Sequence, residues 1–120
     1  MFEKIEACGR EGLRCSIGPS SYTLLPEDGF RLMTWTVKTA KSPREVLYWP
    51  GKPDPGTPIA KLRGGNPILF PFAGRSYDRG LECHWRTPED RRLPMPQHGF
   101  ARDGRFEVVD CNDQVITGRL

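Results

Sequence analysis

The residues in this sequence that are best suited to chemistry are a histidine and several arginines in two loop-forming segments. His98 lies in "LPMPQHGFARDGRFEV", residues 93–108, where Pro94 and Pro96 restrict the chain before it and Gly99 lets the chain turn afterwards. An imidazole titrates near neutral pH, so it can transfer a proton or hydrogen-bond a hydroxyl group. A structural role, in which the ring holds loop carbonyls, is equally open.

The second segment is "LRGGNPILFPFAGR", residues 62–75. Gly64 and Gly65 permit a positive φ and a close approach by another backbone or by a ligand. We expect "ILF" to form a short buried strand that ends at Pro71 and presents Arg75, either to a ligand or to solvent. The glycine pair is not a phosphate loop, because neither G-x-x-x-x-G-K-[ST] nor G-x-G-x-x-G before a helix is present.

The other metal-ligating residue types show no site pattern. His84 lies beside Trp85 in "ECHWRT", an apparent strand, and we expect it to be structural. The four cysteines form no C-x-x-C pair, so a zinc ribbon or redox motif is not expected, and we predict four reduced thiols. We therefore expect no metal site.

Charge and hydropathy limit the classes of partner. There are 18 Lys and Arg residues against 15 Asp and Glu, a formal net charge of +3, and the arginines between residues 75 and 105 are interleaved with acids. A nucleic-acid surface would contain less acid, so we do not expect nucleic acid as a partner. No segment approaches the ~18 apolar residues of a membrane span, and the N-terminal residues lack the apolar region of a secretory signal. We therefore expect a cytoplasmic protein that does not bind membranes.

The elements that must position these residues are predicted to be strands. With 13 Gly and 12 Pro, the chain leaves little room for long helices, and we predict one all-β domain over residues 1–120, with a loop at 50–67. "RLMTWTVK" alternates, so Met33, Trp35 and Val37 share one face of a strand. "YTLLP" and "EVLYW" predict shorter strands, and "RFEVVD" and "QVITGRL" predict a hairpin that turns at Asn112-Asp113.

Taken together, "GGNPILFPFAGR" and "LPMPQHGFARDGRFEV" resemble the aldose 1-epimerase (galactose mutarotase-like) family, as do "EDGFRLMTWTV" and "EVLYW". The resemblance covers roughly residues 20–120 and implies an antiparallel β-sandwich (a supersandwich) that binds a hexose in a cleft. It also implies interconversion of α and β anomers without a cofactor. A base takes the proton of the anomeric hydroxyl while an acid protonates the ring oxygen, and the opened ring closes on the other face.

The resemblance also implies roles for individual residues. His98 matches the family's sugar-contacting histidine near the ring oxygen, where it would take part in catalysis, and Arg75 matches its sugar-binding arginine. Hexose-6-phosphate 1-epimerases of the same superfamily resemble the chain in Arg-Gly-Gly and Pro-Gln-His-Gly, and there Arg63 and Arg102 would form part of a phosphate clamp. The "FPFAGR" ending favours the neutral-sugar branch.

The family's general acid and general base cannot be matched to residues of this chain. In the family, the general-acid histidine lies on a later strand and the general-base glutamate lies near the C-terminus. We therefore expect this chain to resemble the N-terminal part of an epimerase and to be inactive alone. Two alternatives stay open: an inactive truncated product with an incomplete fold, and a non-catalytic carbohydrate-binding β-sandwich with Trp35 or Trp49 as an aromatic platform. The expected partner is a hexose or a sugar phosphate, and the sequence does not specify the oligomeric state.

Overall fold

The computed structural model of the protein describes residues 1–120, and it consists of antiparallel strands with two short 3-10 turns. This confirms the predicted all-β fold class. Five strands form the main sheet in chain order: β1 (Phe2–Ala7), β2 (Arg10–Ile17), β3 (Ser20–Leu25), β4 (Arg31–Val37) and β5 (Arg44–Glu45). Three separate two-stranded sheets follow: β6 (Tyr77–Asp78) with β7 (Leu81–Glu82), β8 (His84–Arg86) with β9 (Arg92–Pro94), and β10 (Glu107–Cys111) with β11 (Ile116–Arg119).

The first hairpin, β1–β2, is absent from our sequence predictions. It turns at Cys8 and Gly9, whose φ angles are 54° and 73°. Two central residues with positive φ give the turn geometry that matches the twist of paired strands. A cysteine in the first of these positions is not a usual turn signal. The charged residues of both strands also interrupt the alternation of apolar and polar residues that indicates a strand. The pattern therefore gave no sign of this hairpin.

Strand β4 is confirmed, and it carries the buried side of the main sheet. Met33 packs in a core with Leu25, Ile59 and Leu62, all buried. Trp35, two positions further on, is half-buried and stacks on Tyr22 with ring centroids 5.8 Å apart. The face predicted from alternation is therefore the one that packs, although burial decreases toward the end of the strand.

Two strand predictions differ from the structure. "ILF" forms no strand: Ile68, Leu69 and Phe70 are exposed, and the one ladder contact there is a bridge from Phe70 to Gly99. Pro67 and Pro71 flank the segment and lack the N–H groups that a ladder needs.

"EVLYW" is the second difference. It contributes only Glu45 to the two-residue strand β5. The Val46 N–H still donates to the Trp35 carbonyl at 2.8 Å, and the chain then leaves the sheet, so that the Tyr48 carbonyl accepts a hydrogen bond from the Gly65 N–H at 2.7 Å.

The C-terminal hairpin, by contrast, is confirmed. Strands β10 and β11 pair around Asn112, whose side-chain oxygen accepts hydrogen bonds from the N–H groups of Gln114 and Val115, both at 2.9 Å. Between β5 and β6, residues 50–67 contain one 3-10 turn, Ile59–Lys61, and Asn66 bridges to Leu32.

The molecule is elongated and has a small core. Its radius of gyration is 16.9 Å, whereas a compact domain of this length has about 14 Å. Only 15 of 120 residues are buried. None of its helical segments has the length and apolar character needed to cross a membrane.

Candidate functional site

The candidate site is a cleft of about 560 Å³ where the start of β4, the 60–63 segment and the 97–102 loop meet. Its charged and polar lining consists of Arg31, Lys61, Arg63, Gln97, His98 and Arg102. No Asp or Glu is part of the lining. Three of the residues singled out by sequence, Arg63, His98 and Arg102, therefore share one cationic cleft.

Arg63 lies on a backbone segment that Arg31 of β4 holds in place. The Nη1 of Arg31 donates to the carbonyl oxygens of Leu62 at 2.8 Å and of Gly64 at 3.2 Å. These carbonyls lie on either side of Arg63, whose own side chain is exposed. The contact keeps the backbone of this segment against β4 and leaves the Arg63 guanidinium at the cleft.

The glycine pair after Arg63 serves close backbone packing. Gly65 has φ of 66°, and a Cβ there would overlap the carbonyl oxygen of Leu32. A Cβ on Gly64 would lie 2.8 Å from Cδ of Pro50 and 3.0 Å from the Tyr48 carbonyl oxygen. Of the two uses that the sequence allowed for these glycines, the structure shows approach by backbone.

His98 is held by its own backbone and by its ring. Its φ is 67°, its N–H donates to the Gly74 carbonyl at 2.6 Å, and its Nδ1 lies 3.1 Å from the Ala73 carbonyl oxygen. A carbonyl can only accept, so Nδ1 carries the proton in this contact. In the neutral ring Nε2 is then a hydrogen-bond acceptor, 3.5 Å from Nε2 of Gln97.

The loop that carries His98 is seated on the segment before it. The N–H groups of Phe100 and Ala101 both donate to the Phe70 carbonyl, at 2.9 and 3.3 Å. A Cβ on Gly99, which has φ of 76°, would overlap that same carbonyl. The "FPFAGR" segment therefore supports the histidine loop through its backbone.

Arg102 reaches the cleft from the 3-10 turn Ala101–Asp103. Its Nη1 donates to the Ala60 carbonyl at 3.3 Å, and its Nε lies 3.8 Å from Oδ1 of Asp103. The Nε is buried and has no hydrogen-bond partner. Arg102 thus connects the histidine loop to the 59–61 turn and retains unused donor capacity.

Arg31 is the site residue that sequence analysis missed. It is 2% exposed, and its Nε has no hydrogen-bond partner. Burial lowers the pKa of this guanidinium below its usual range, and the positive charge of Arg102 lowers it further. Arginine nevertheless stays protonated in proteins. The available signal was its position two residues before Met33, on the face that the alternation assigns to the core.

Arg75 lies outside this cleft. Its Nη1 forms an ion pair with Glu82 at 2.7 Å, and its side chain is half exposed. The segment before it forms no strand, so Arg75 is not presented at a strand end. Its neighbours Ala73 and Gly74, rather than Arg75 itself, contact His98.

The remaining candidate residues make local contacts. The Nδ1 of His84 lies 2.9 Å from the carbonyl oxygen of Glu82. Cys8, Cys15, Cys83 and Cys111 are all free thiols. The indole Nε1 of Trp35 donates to Oγ of Ser20 at 3.2 Å, so this half-buried ring is engaged within the sheet.

Comparison with known proteins gives a structural likeness. No family model matches the chain, and no curated protein matches it either. The chain is similar to the crystal structure of the Slr1438 protein from Synechocystis sp. PCC 6803, with 26% sequence identity and a TM-score of 0.64. The match covers 95% of this chain and 33% of that one, so the chain spans about a third of the length of that protein.

Proposed function

We propose that the cleft binds a phosphorylated hexose and that the chain supplies this binding site to a hexose-6-phosphate 1-epimerase. The observation that carries the proposal is the convergence of Arg63, Arg102 and His98 on a cleft that also contains Arg31 and Lys61 but no acid. A phosphate monoester carries nearly two negative charges at neutral pH, and planar guanidinium groups match its oxygens.

The histidine gives the cleft a second kind of contact. With Nδ1 donating to Ala73, the Nε2 lone pair of the neutral ring accepts a hydrogen bond from a hydroxyl group of the sugar in place of the Gln97 amide, which lies 3.5 Å away. Arginine contacts to the phosphate would fix one end of the ligand, and His98 would orient the other end. Holding a substrate at two points reduces the freedom that a reaction must otherwise remove.

A neutral hexose, as in the aldose 1-epimerases, is the second candidate. The resemblance of "FPFAGR" to that branch favours it, but Arg75 is paired with Glu82 outside the cleft. A neutral ligand would also leave the positive charges of the cleft uncompensated. We therefore favour the phosphorylated sugar.

Epimerisation requires a proton-transferring acid and a proton-transferring base. Within the cleft, His98 is the side chain whose ring nitrogens can both accept and donate a proton. We accordingly propose sugar-phosphate binding as the role of these residues, and anomer exchange as the role of the protein once a second such group joins the site.

The test is isothermal titration calorimetry of the chain with glucose 6-phosphate, glucose and inorganic phosphate. Glucose 6-phosphate should bind, glucose should bind far more weakly, and Arg63→Met or Arg102→Met should each weaken binding of the phosphate ester. Arg119→Met, which removes an exposed arginine paired with Glu107, is the matched control and should change nothing. Equal affinity for glucose, together with loss of binding in Arg75→Met, would establish the neutral-sugar alternative instead.

A further inference from the structure

We infer that Arg31 is a positioning residue of the cleft: it fixes the backbone on both sides of Arg63 and thereby sets the affinity for a phosphate group. The inference rests on the proposed function and adds a residue that neither the sequence motifs nor the family resemblance assigns.

The geometry of Arg31 is specific to this task. A single nitrogen, Nη1, bonds the carbonyls of Leu62 and Gly64, which are the residues on either side of Arg63. Leu62 is buried in the core while Arg63 is exposed, so the two side chains leave the backbone in opposite directions. Because both flanking carbonyls are held, the position of the Arg63 Cα and the direction of its side chain are restricted.

The burial of Arg31 is costly for the fold by itself. It is 2% exposed, it takes part in none of the ion pairs of the structure, and its Nε has no partner. A buried charge without a paired opposite charge is destabilising relative to an apolar residue of similar size. Arg31 nonetheless lines the cleft, where an anion would add a negative charge beside the guanidinium.

The test is a double-mutant cycle on glucose 6-phosphate affinity, measured by calorimetry at low salt. The proteins are the native chain, Arg31→Lys, Arg63→Met and the double variant. Lysine retains the charge but carries it on a compact ammonium at the end of a flexible four-carbon stem, so it does not reproduce the fixed position of the Arg31 Nη1 between the two carbonyls. We expect Arg31→Lys to weaken binding about tenfold in the native background, and to change it less than about twofold when Arg63 is already methionine. The control is Arg44→Lys, which changes an exposed arginine of β5 and should leave the affinity unchanged.

A purely structural role gives a different result. Partial unfolding of Arg31→Lys would weaken binding by the same factor in both backgrounds, and such independent effects would overturn the inference while leaving the proposed function in place. If the native chain does not bind glucose 6-phosphate, the proposed function fails and this inference fails with it.

A second measurement needs only the native protein and covers the case in which Arg31→Lys does not fold. The Arg31 Nε–H signal in an NMR spectrum should exchange slowly with water, because the group is buried. Adding inorganic phosphate should shift this signal together with that of Arg63. A shift of the Arg63 signal with no change in the Arg31 signal would overturn the coupling.

Discussion

At the scale of single residues, His98 shows how a backbone can select the chemistry of a side chain. The Ala73 carbonyl fixes the proton on Nδ1, so Nε2 of the neutral ring is left as a hydrogen-bond acceptor in the cleft. The left-handed φ of 67° places this residue in a conformation that few residue types adopt without strain. The loop thus determines both the tautomer of the ring and the position from which the side chain extends.

This arrangement predicts a separation between two ligands. His98→Asn, which tolerates the positive φ, should weaken glucose 6-phosphate binding about tenfold, since one hydrogen bond to a sugar hydroxyl is lost. The substitution should leave the affinity for inorganic phosphate unchanged, because inorganic phosphate lacks the sugar that His98 would contact. Calorimetry with both ligands measures the difference, and an equal loss for both would contradict the assignment of Nε2 to the sugar.

Asp78 is a residue whose charge state affects stability in acid. Its carboxylate accepts hydrogen bonds from Arg86, at 3.0 and 2.8 Å, and from Arg92 at 2.5 Å. The hydrogen bonds from Arg86 make the largest contribution and that from Arg92 the next, and together they lower the pKa of Asp78 to about 2. Since the folded-state pKa lies below the unfolded value of about 3.9, the stabilisation is complete above that value and is lost as the pH falls toward 2.

Asp78→Asn should therefore lower the Tm at pH 7 and flatten its dependence on pH between about 4 and 2. The measurement is the Tm of both proteins over a series of pH values. Glu89→Gln, on an exposed residue without an ion pair, is the control. Two Tm curves that run parallel through this range would show that the acid transition belongs to other groups.

At the scale of elements, the glycine pair after Arg63 illustrates how one backbone supports another. The carbonyl of Leu32 occupies the space where a Cβ of Gly65 would lie, while Leu32 and Asn66 exchange backbone hydrogen bonds at 3.2 and 2.8 Å. The segment that contains Asn66 thus pairs with the start of β4 through a single β-bridge. Together with the contacts of Arg31, this bridge holds Arg63 at the cleft.

Gly65→Ala should consequently cost more than an ordinary glycine replacement at positive φ. The matched control is Gly18→Ala, because Gly18 has φ of 56° with nothing near the position of its Cβ. We expect about 1 kcal/mol of destabilisation at Gly18 from the backbone conformation alone. Gly65→Ala should lose more than this in urea unfolding and should also weaken glucose 6-phosphate binding, and equal losses would contradict the close approach.

Much of this element organisation was predictable from local patterns, but the site was predictable only in part. Strand β4 has clean alternation, and Asn112 supplies recognisable turn chemistry, so both were found. The β1–β2 hairpin was missed because its turn begins with a cysteine at positive φ. Arg31 was missed because alternation places a residue on a face but does not show what a buried charge contacts there.

At the scale of the whole molecule, the small core means that a bound ligand can contribute visibly to stability. Only 15 of 120 residues are buried, and the cleft lies between three separate parts of the chain. Arg31 connects β4 to the 62–64 segment, and Arg102 connects the histidine loop to the 59–61 turn. An anion held between these arginines would oppose the separation of all three parts.

A ligand that binds the folded state alone raises the free energy of unfolding by about 2.7 kcal/mol at a hundred times its Kd. Glucose 6-phosphate at that concentration should therefore raise the midpoint of urea unfolding of the native chain. Sodium chloride at matched ionic strength corrects for the general effect of salt on stability. In glucose 6-phosphate, the double variant Arg63→Met/Arg102→Met should shift no more than it does in sodium chloride, whereas Arg119→Met should keep the full shift. If the double variant is stabilised as much as the native chain, the ligand binds elsewhere and the cleft is not its site.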